Sequence, residues 1–303
     1  MKTLAQLVVV IFVLAGFGLL KVDYEEQIHQ ELLAEDLIQP PMKNLDKREL
    51  GQVSAAAVLG GMRSPIASIE NLRAFVHFEN LDWAKVETSY QIITALQPQT
   101  THYWDTGAWH LHTNASVYYK ENKDLSPFKQ SAMRRRYIDK GSAFLEEGVR
   151  QNPDNWQLHN ALARLWSDYH KLPDLKRALK HYEDTLACKS LPDYKRTQLM
   201  RFTFYTMTRV KGREKDAYTM GRELFDASDR NHTPNLVCCL FVLQNLLAVP
   251  ETERIPETAL FPDEKTQYAW LQNYFDHRSQ DYPMDGVRAK ILELGLKLNP
   301  GQN

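Results

Sequence analysis

Apolar residues recur three and four positions apart along most of the chain beyond residue 50. The segments "AKVETSYQIITALQP" (84–98), "GSAFLEEGVRQNP" (141–153) and "AKILELGLKLNP" (289–300) share this spacing, and each closes on a proline. That spacing places the apolar side chains on one face of a helix, and a proline, which lacks an N–H, stops it. Period-two alternation, the mark of a half-buried strand, is almost missing. The pattern predicts an all-α chain. Helices are expected over 82–98, from Tyr103 through "YWDTGAWHLHTNAS", and over 135–152, 156–170, 174–189, 195–210 and 213–228. Three more follow over 234–248, 264–278 and 286–298.

One stretch differs in kind. Residues 4–20, "LAQLVVVIFVLAGFGLL", have Gln6 as their only polar interruption and stand between Lys2 and Lys21. As a helix they would span roughly 25 Å, within the tolerated range for a hydrocarbon core of ~30 Å. A single-pass N-terminal membrane anchor (1–20) is the expectation, with a cleaved signal segment as its rival, although Gly16-Phe17-Gly18 is a poor cleavage site. The basic flank at the start favours the bulk of the chain outside the cytoplasm, on the periplasmic side. Residues 21–50, with Pro40-Pro41 and the charged "KNLDKREL", read as a stalk, and 51–303 as the helical body.

The helices come in pairs with a recurring pattern. "DWAKVETSYQIITALQP" (82–98) has an aromatic start, a helical middle and a proline end. Ahead of the next pair stands Trp104, with Ala108 and Leu111 at helical spacing, and Trp156 opens a third pair, "WQLHNALARLWSDYH" and "DLKRALKHYEDTLACK". This arrangement resembles the tetratricopeptide repeat, a helix pair of about 34 residues. Within it, "LGGMRSPIASIENLRAFVHFENLDW", "YWDTGAWHLHTNAS" and "FLEEGVRQNPDNW" are similar to a group of membrane-anchored bacterial tetratricopeptide-like proteins without an assigned activity. The resemblance implies an α-α superhelix, a right-handed solenoid of antiparallel helix pairs. In the first unit Glu70 stands where tryptophan is usual and Ala74 takes the small position.

Composition narrows the functions. The 303 residues are 43% hydrophobic and 25% charged at a formal net charge of −1, an ordinary globular balance that speaks against a nucleic-acid partner. Cys188, Cys238 and Cys239 form no C-x-x-C motif, and the latter two lie in the apolar "NLVCCLFVLQNLL", which predicts buried free thiols. No two of the ten histidines are three or four apart, so no helical His-x-x-x-His metal site is expected. His110 and His112 point in different directions, nothing sets a nucleophile geometry for Ser116, and "LGGMRS" lacks the phosphate-loop spacing. No catalytic residue, cofactor or metal ligand is expected. The stretch from Lys120 to Lys140 carries seven basic against three acidic residues and reads as an insertion with a solvated basic face, or one that meets acidic lipid or an acidic partner.

What the resemblance implies about function is a protein or peptide partner held in the groove lined by the first helices. Carried onto this register, the lining residues are Asn71, Phe75 and Phe78 in the first unit. In the second they are His102, Asp105, Trp109, His112 and Thr113, and in the third Asp154, Gln157 and Arg164. Trp104, Ala108, Leu111 and Ala115 then form the packing stripe. The leading expectation is a membrane-tethered interaction scaffold without catalytic activity. A structural subunit of a cell-envelope assembly, self-associating through exposed repeat ends, is the alternative, and an enzyme with a cleft on a helical array is the second.

Overall fold

Side-chain caps set the start of five of the α-helices. The structure, a computed structural model, describes residues 62–298. The expected anchor (1–20) and stalk (21–50) lie outside the described residues. Helix α1 (Arg63–Glu79) leads through a turn, with Leu81 at φ 57°, into α2 (Trp83–Leu96), which Asp82 caps by accepting the Lys85 N–H at 3.3 Å. Asn155 caps α6 (Trp156–Ser167), Asp174 caps α7 (Leu175–Ala187) and Asp263 caps α12 (Glu264–Arg278), each by accepting a backbone N–H three residues on.

Between α2 and α6 runs one long helix with a defect. Helix α3 (Thr101–Trp109) passes into a π-helical segment (His110–Ala115) and out again as α4 (Ser116–Glu121). In the wide turn the Ser116 N–H reaches back to the Leu111 carbonyl. The Ser116 hydroxyl donates to the His112 and Thr113 carbonyls at 2.7 and 3.0 Å. Helix α5 then runs Pro127–Gln151. The basic insertion is therefore mostly helix, and α5 begins eight residues before the expected 135. Ser126 caps it and Pro127 occupies its first turn, where a missing N–H costs nothing.

The remaining elements are α8 (Asp193–Met207), α9 (Glu214–Ala227), α10 (Pro234–Leu246), the short α11 (Glu257–Leu260), α12 and α13 (Val287–Leu298). Among the described residues there is no strand, and no helix is long and apolar enough to cross a membrane. Packing is chiefly between neighbours in sequence: α1 on α2, α3 and the π segment on α5, α6 on α7, α8 on α9, α9 on α10, α12 on α13. Two large apolar cores follow one another along the chain, and a small cluster of Cys188, Leu191 and Leu199 stands apart from them. One is built around Trp83, Ile93, Trp104, Leu111 and Leu145, the other around Phe204, Leu224, Leu240 and Leu271. Cys238 and Cys239 are buried free thiols of the second, as their apolar helix predicts.

Two close approaches hold the first core. Trp104 packs on Phe144 with ring centroids 4.9 Å apart, and its indole N–H donates to the Pro98 carbonyl at 2.7 Å. It can lie so near α5 because residue 148 is glycine; a Cβ there would sit 2.9 Å from its Cγ. One turn-pair earlier, a Cβ on Gly141 would fall 2.8 Å from the His112 backbone nitrogen. Glu70, at the position where tryptophan is usual, is buried and accepts from Ser89 at 2.7 Å and Arg73 at 3.2 Å.

Truncating the buried indole should be expensive: Trp104→Ala is expected to cost on the order of 3 kcal/mol in urea unfolding, as for other large aromatics in a core. Gly141→Ala should lose about 1–3 kcal/mol, because the obstructing atom is backbone and cannot move aside cheaply. A neutral result for either would show that α3 and α5 are not packed in this register.

Candidate functional site

A cavity of about 860 Å³ opens where α3, the π segment and α4 meet α6. Its lining includes Asp105, Trp109, His112, Thr113 and Ser116 from the first long helix and Ala161, Arg164 and Leu165 from α6. The chain after α6 adds Ser167, Asp168, His170 and Lys171, while Tyr182 and Phe202 close the far side. Lys120 and Arg134, both from the basic stretch, reach its rim. The 168–174 segment is held against α6 by the Asp174 N–H donating to the Trp166 carbonyl at 2.8 Å, and Arg134 donates to the His170 carbonyl.

The buried end of the groove is a polar knot. The Lys171 ammonium donates to His112 Nδ1 at 2.9 Å and to Thr113 Oγ1 at 3.2 Å, and lies 3.6 Å from Asp168. Burial, with Lys171 and then Arg164 adding positive charge, pushes His112 down to about 3. The imidazole is therefore neutral near pH 7, and Nδ1 is an acceptor. Burial also lowers Lys171, opposed by Asp168. Across the groove, loss of solvent raises the Asp105 carboxyl, opposed by Arg164 and then His102. Ser116 spends its hydroxyl on backbone carbonyls, so it makes no nucleophile–base pair with His112. Lys120, Arg134, Arg164 and Lys171 face Asp105 and Asp168, so the cavity carries a positive excess. Its apolar parts are Trp109, 47% exposed, and Phe202, 39% exposed, with Tyr182 near Phe202.

Of the residues expected to line a groove, Asp105, Trp109, His112, Thr113 and Arg164 come together on this cavity. The others do not. Phe78 is half-buried between Trp83 and His110, with centroids 5.8 and 4.9 Å away, and Phe75 and Asn71 stay on the α1 surface. Gln157 is at the exposed start of α6, and His102 and Asp154 also lie outside the lining. The reason in the third unit is a register shift. His159, not Trp156, repeats the role of Trp104: its Nε2 meets the Pro153 carbonyl at 3.0 Å, six residues back, as Trp104 meets Pro98. Four residues beyond each lies a fully buried alanine, Ala108 and Ala163. Counted from His159, Arg164 corresponds to Trp109, while Gln157 precedes the groove face altogether.

Lys171, Asp168 and Tyr182 escape a sequence reading because a connecting segment and later helices bring them in. So does a second cluster, His159, His181 and Asp184, which α6 and α7 bring together away from the groove; the only sequence trace is the His181-x-x-Asp184 spacing. No protein-family model matches the chain, and a search of the curated proteins finds no match.

The depressed His112 sets a pH dependence. Between about 3 and its ordinary 6.5 the unfolded chain binds a proton that the folded chain refuses. This stability is whole above pH 6.5 and is lost as the pH falls toward 3, approaching about 1.4 kcal/mol per pH unit. Urea unfolding from about pH 7 to about pH 4.5 should show the slope in the native chain and a flatter one in His112→Gln. Equal slopes would mean that His112 takes a proton in the folded state.

Proposed function

We propose that the chain is a membrane-tethered interaction scaffold, its helix pairs winding as a tetratricopeptide-type superhelix, and that the groove between α3 and α6 seats a peptide segment of a partner protein. The observation that carries this reading is the cavity itself: exposed Trp109 and Phe202 beside an excess of cations, on a frame of packed helices. Exposed aromatics anchor peptides because they bury much area for little lost freedom. The charge favours a segment with an apolar anchor flanked by acidic side chains. The expected N-terminal span would hold the scaffold at a membrane, with the groove on the extracytoplasmic side.

Self-association is a second reading with its own support. The first and last described helices both present apolar side chains outward: Leu72 and Phe75 on α1 are 70% and 59% exposed, and Leu292 and Leu296 on α13 are 69% and 62%. Such ends suit stacking of one array on another in an envelope assembly.

Substituting Asp105 and Trp109 together by alanine should abolish capture of the partner recovered with the native chain. Thermal stability should stay within roughly 1 kcal/mol, as for surface changes. An unfolded variant would place Trp109 in the core, and unchanged capture would move the partner off this groove.

A further inference from the structure

We infer that His159, His181 and Asp184 form a binding site for a divalent transition cation of the zinc type, bridging α6 and α7. One ligand atom from each of the three residues lies within 4.8 Å of the other two. Asp184 Oδ2 is 3.9 Å from His159 Nδ1 and 3.9 Å from His181 Nδ1.

The electron pairs make the argument. His159 is 8% exposed, and its Nε2 faces the Pro153 carbonyl at 3.0 Å, a group that can only accept. Nε2 therefore carries the proton, which leaves a bare lone pair on Nδ1. That Nδ1 is buried without a hydrogen-bond partner, and so is Nδ1 of His181. Both look toward a carboxylate oxygen, itself an acceptor, at a distance too long for a hydrogen bond. Two acceptors, His159 Nδ1 and the carboxylate oxygen, thus face each other with no donor between them, and the Nε2–H tautomer of His181 turns a third lone pair to the same point. Left so, the buried nitrogens forfeit their hydrogen bonds. A cation placed among them satisfies all three.

The donor set selects the ion. Two imidazole nitrogens and one carboxylate suit zinc and its neighbours, whereas magnesium and calcium want oxygen alone. Zinc–ligand bonds of about 2.0–2.2 Å place tetrahedral donors about 3.4 Å apart. Each imidazole nitrogen and the carboxylate oxygen need to close by about 0.5 Å, and the two nitrogens, within 4.8 Å of each other, by at most about 1.4 Å; Asp184, 40% exposed at its side chain, has room to move. The Nε2–carbonyl bond of His159 is the kind of orienting contact that metal-bound imidazoles use. Cys188 stays outside the set: its thiol donates to the Asp184 carbonyl at 3.3 Å, and burial pushes it up to about 11. Three protein ligands leave a fourth position for water or a partner's group. The ion would clamp α6, which carries Arg164, to α7, and so stiffen one wall of the groove.

The test uses the full-length chain, stripped with a chelator and titrated with zinc chloride against a chromophoric competitor. It should take up one equivalent, unaffected by excess Mg²⁺ or Ca²⁺, and melt at a higher temperature when loaded. Cobalt chloride should give the intense visible bands of a four-coordinate site. Asp184→Asn, at a side chain 40% exposed, and His181→Ala, at one 14% exposed, should each weaken zinc binding by about a hundredfold or more, since even orienting partners are worth about 10–100-fold. They should also remove the melting shift and the cobalt bands, while His277→Ala, on the exposed face of α12, leaves all three unchanged. A chain that takes up no zinc, or zinc binding that survives in either ligand variant, overturns the assignment.

Discussion

One carbonyl group ties three helices of this architecture together. The Pro98 oxygen, left unpaired where α2 ends, accepts the Trp104 indole N–H at 2.7 Å and the Asn152 amide at 2.9 Å. It thereby joins the end of one helix to the first turn of the next and to the end of a third. Asn152 also donates to the Gly148 carbonyl at 3.0 Å, which closes α5 at the level where Trp104 lies over Gly148. A buried carbonyl deprived of such partners costs about 1–3 kcal/mol. The device recurs at Pro153, where His159 replaces the indole. A proline ends the helix, its carbonyl turns inward, and a ring six residues later collects it.

That replacement explains why the two pairs differ chemically. An indole has one N–H and spends it on the carbonyl. An imidazole that spends one nitrogen in the same way still holds a second, and at His159 this second nitrogen points toward α7. On the other side of α6, Arg164 faces the groove beside Asp105 and the Lys171–His112 contact. A single short helix therefore presents unrelated chemistry on two faces while its buried stripe, Leu158, Leu162 and Leu165, stays in the common core.

The architecture was largely legible from the chain. Proline stops and apolar stripes located the pairs, and Trp104, Ala108, Leu111 and Ala115 are all buried as their spacing requires. The start of α5 is hidden inside the basic stretch that reads as an insertion, although Ser126-Pro127 is a helix-opening signal. The groove was legible only where the register held. Asp105, Trp109 and His112 follow from Trp104, but Trp156 is an attractive wrong anchor three residues from His159. Lys171 and Asp168 could not be placed at all, since their positions depend on how a connecting segment folds back onto α6.

The π segment has a consequence for how this chain can change. A wide turn is what a helix becomes when it absorbs one surplus residue without giving up its path. Beyond it, every side chain is rotated by about 100° from where an uninterrupted helix would carry it. Removing any one residue between His110 and Ala115 would restore ordinary winding, and would swing Ser116, Val117 and Lys120 away from the cavity. The lining of the groove is thus specified by the number of residues in one turn as much as by their identities. Relatives that differ by that single residue would keep the same scaffold and display a different surface.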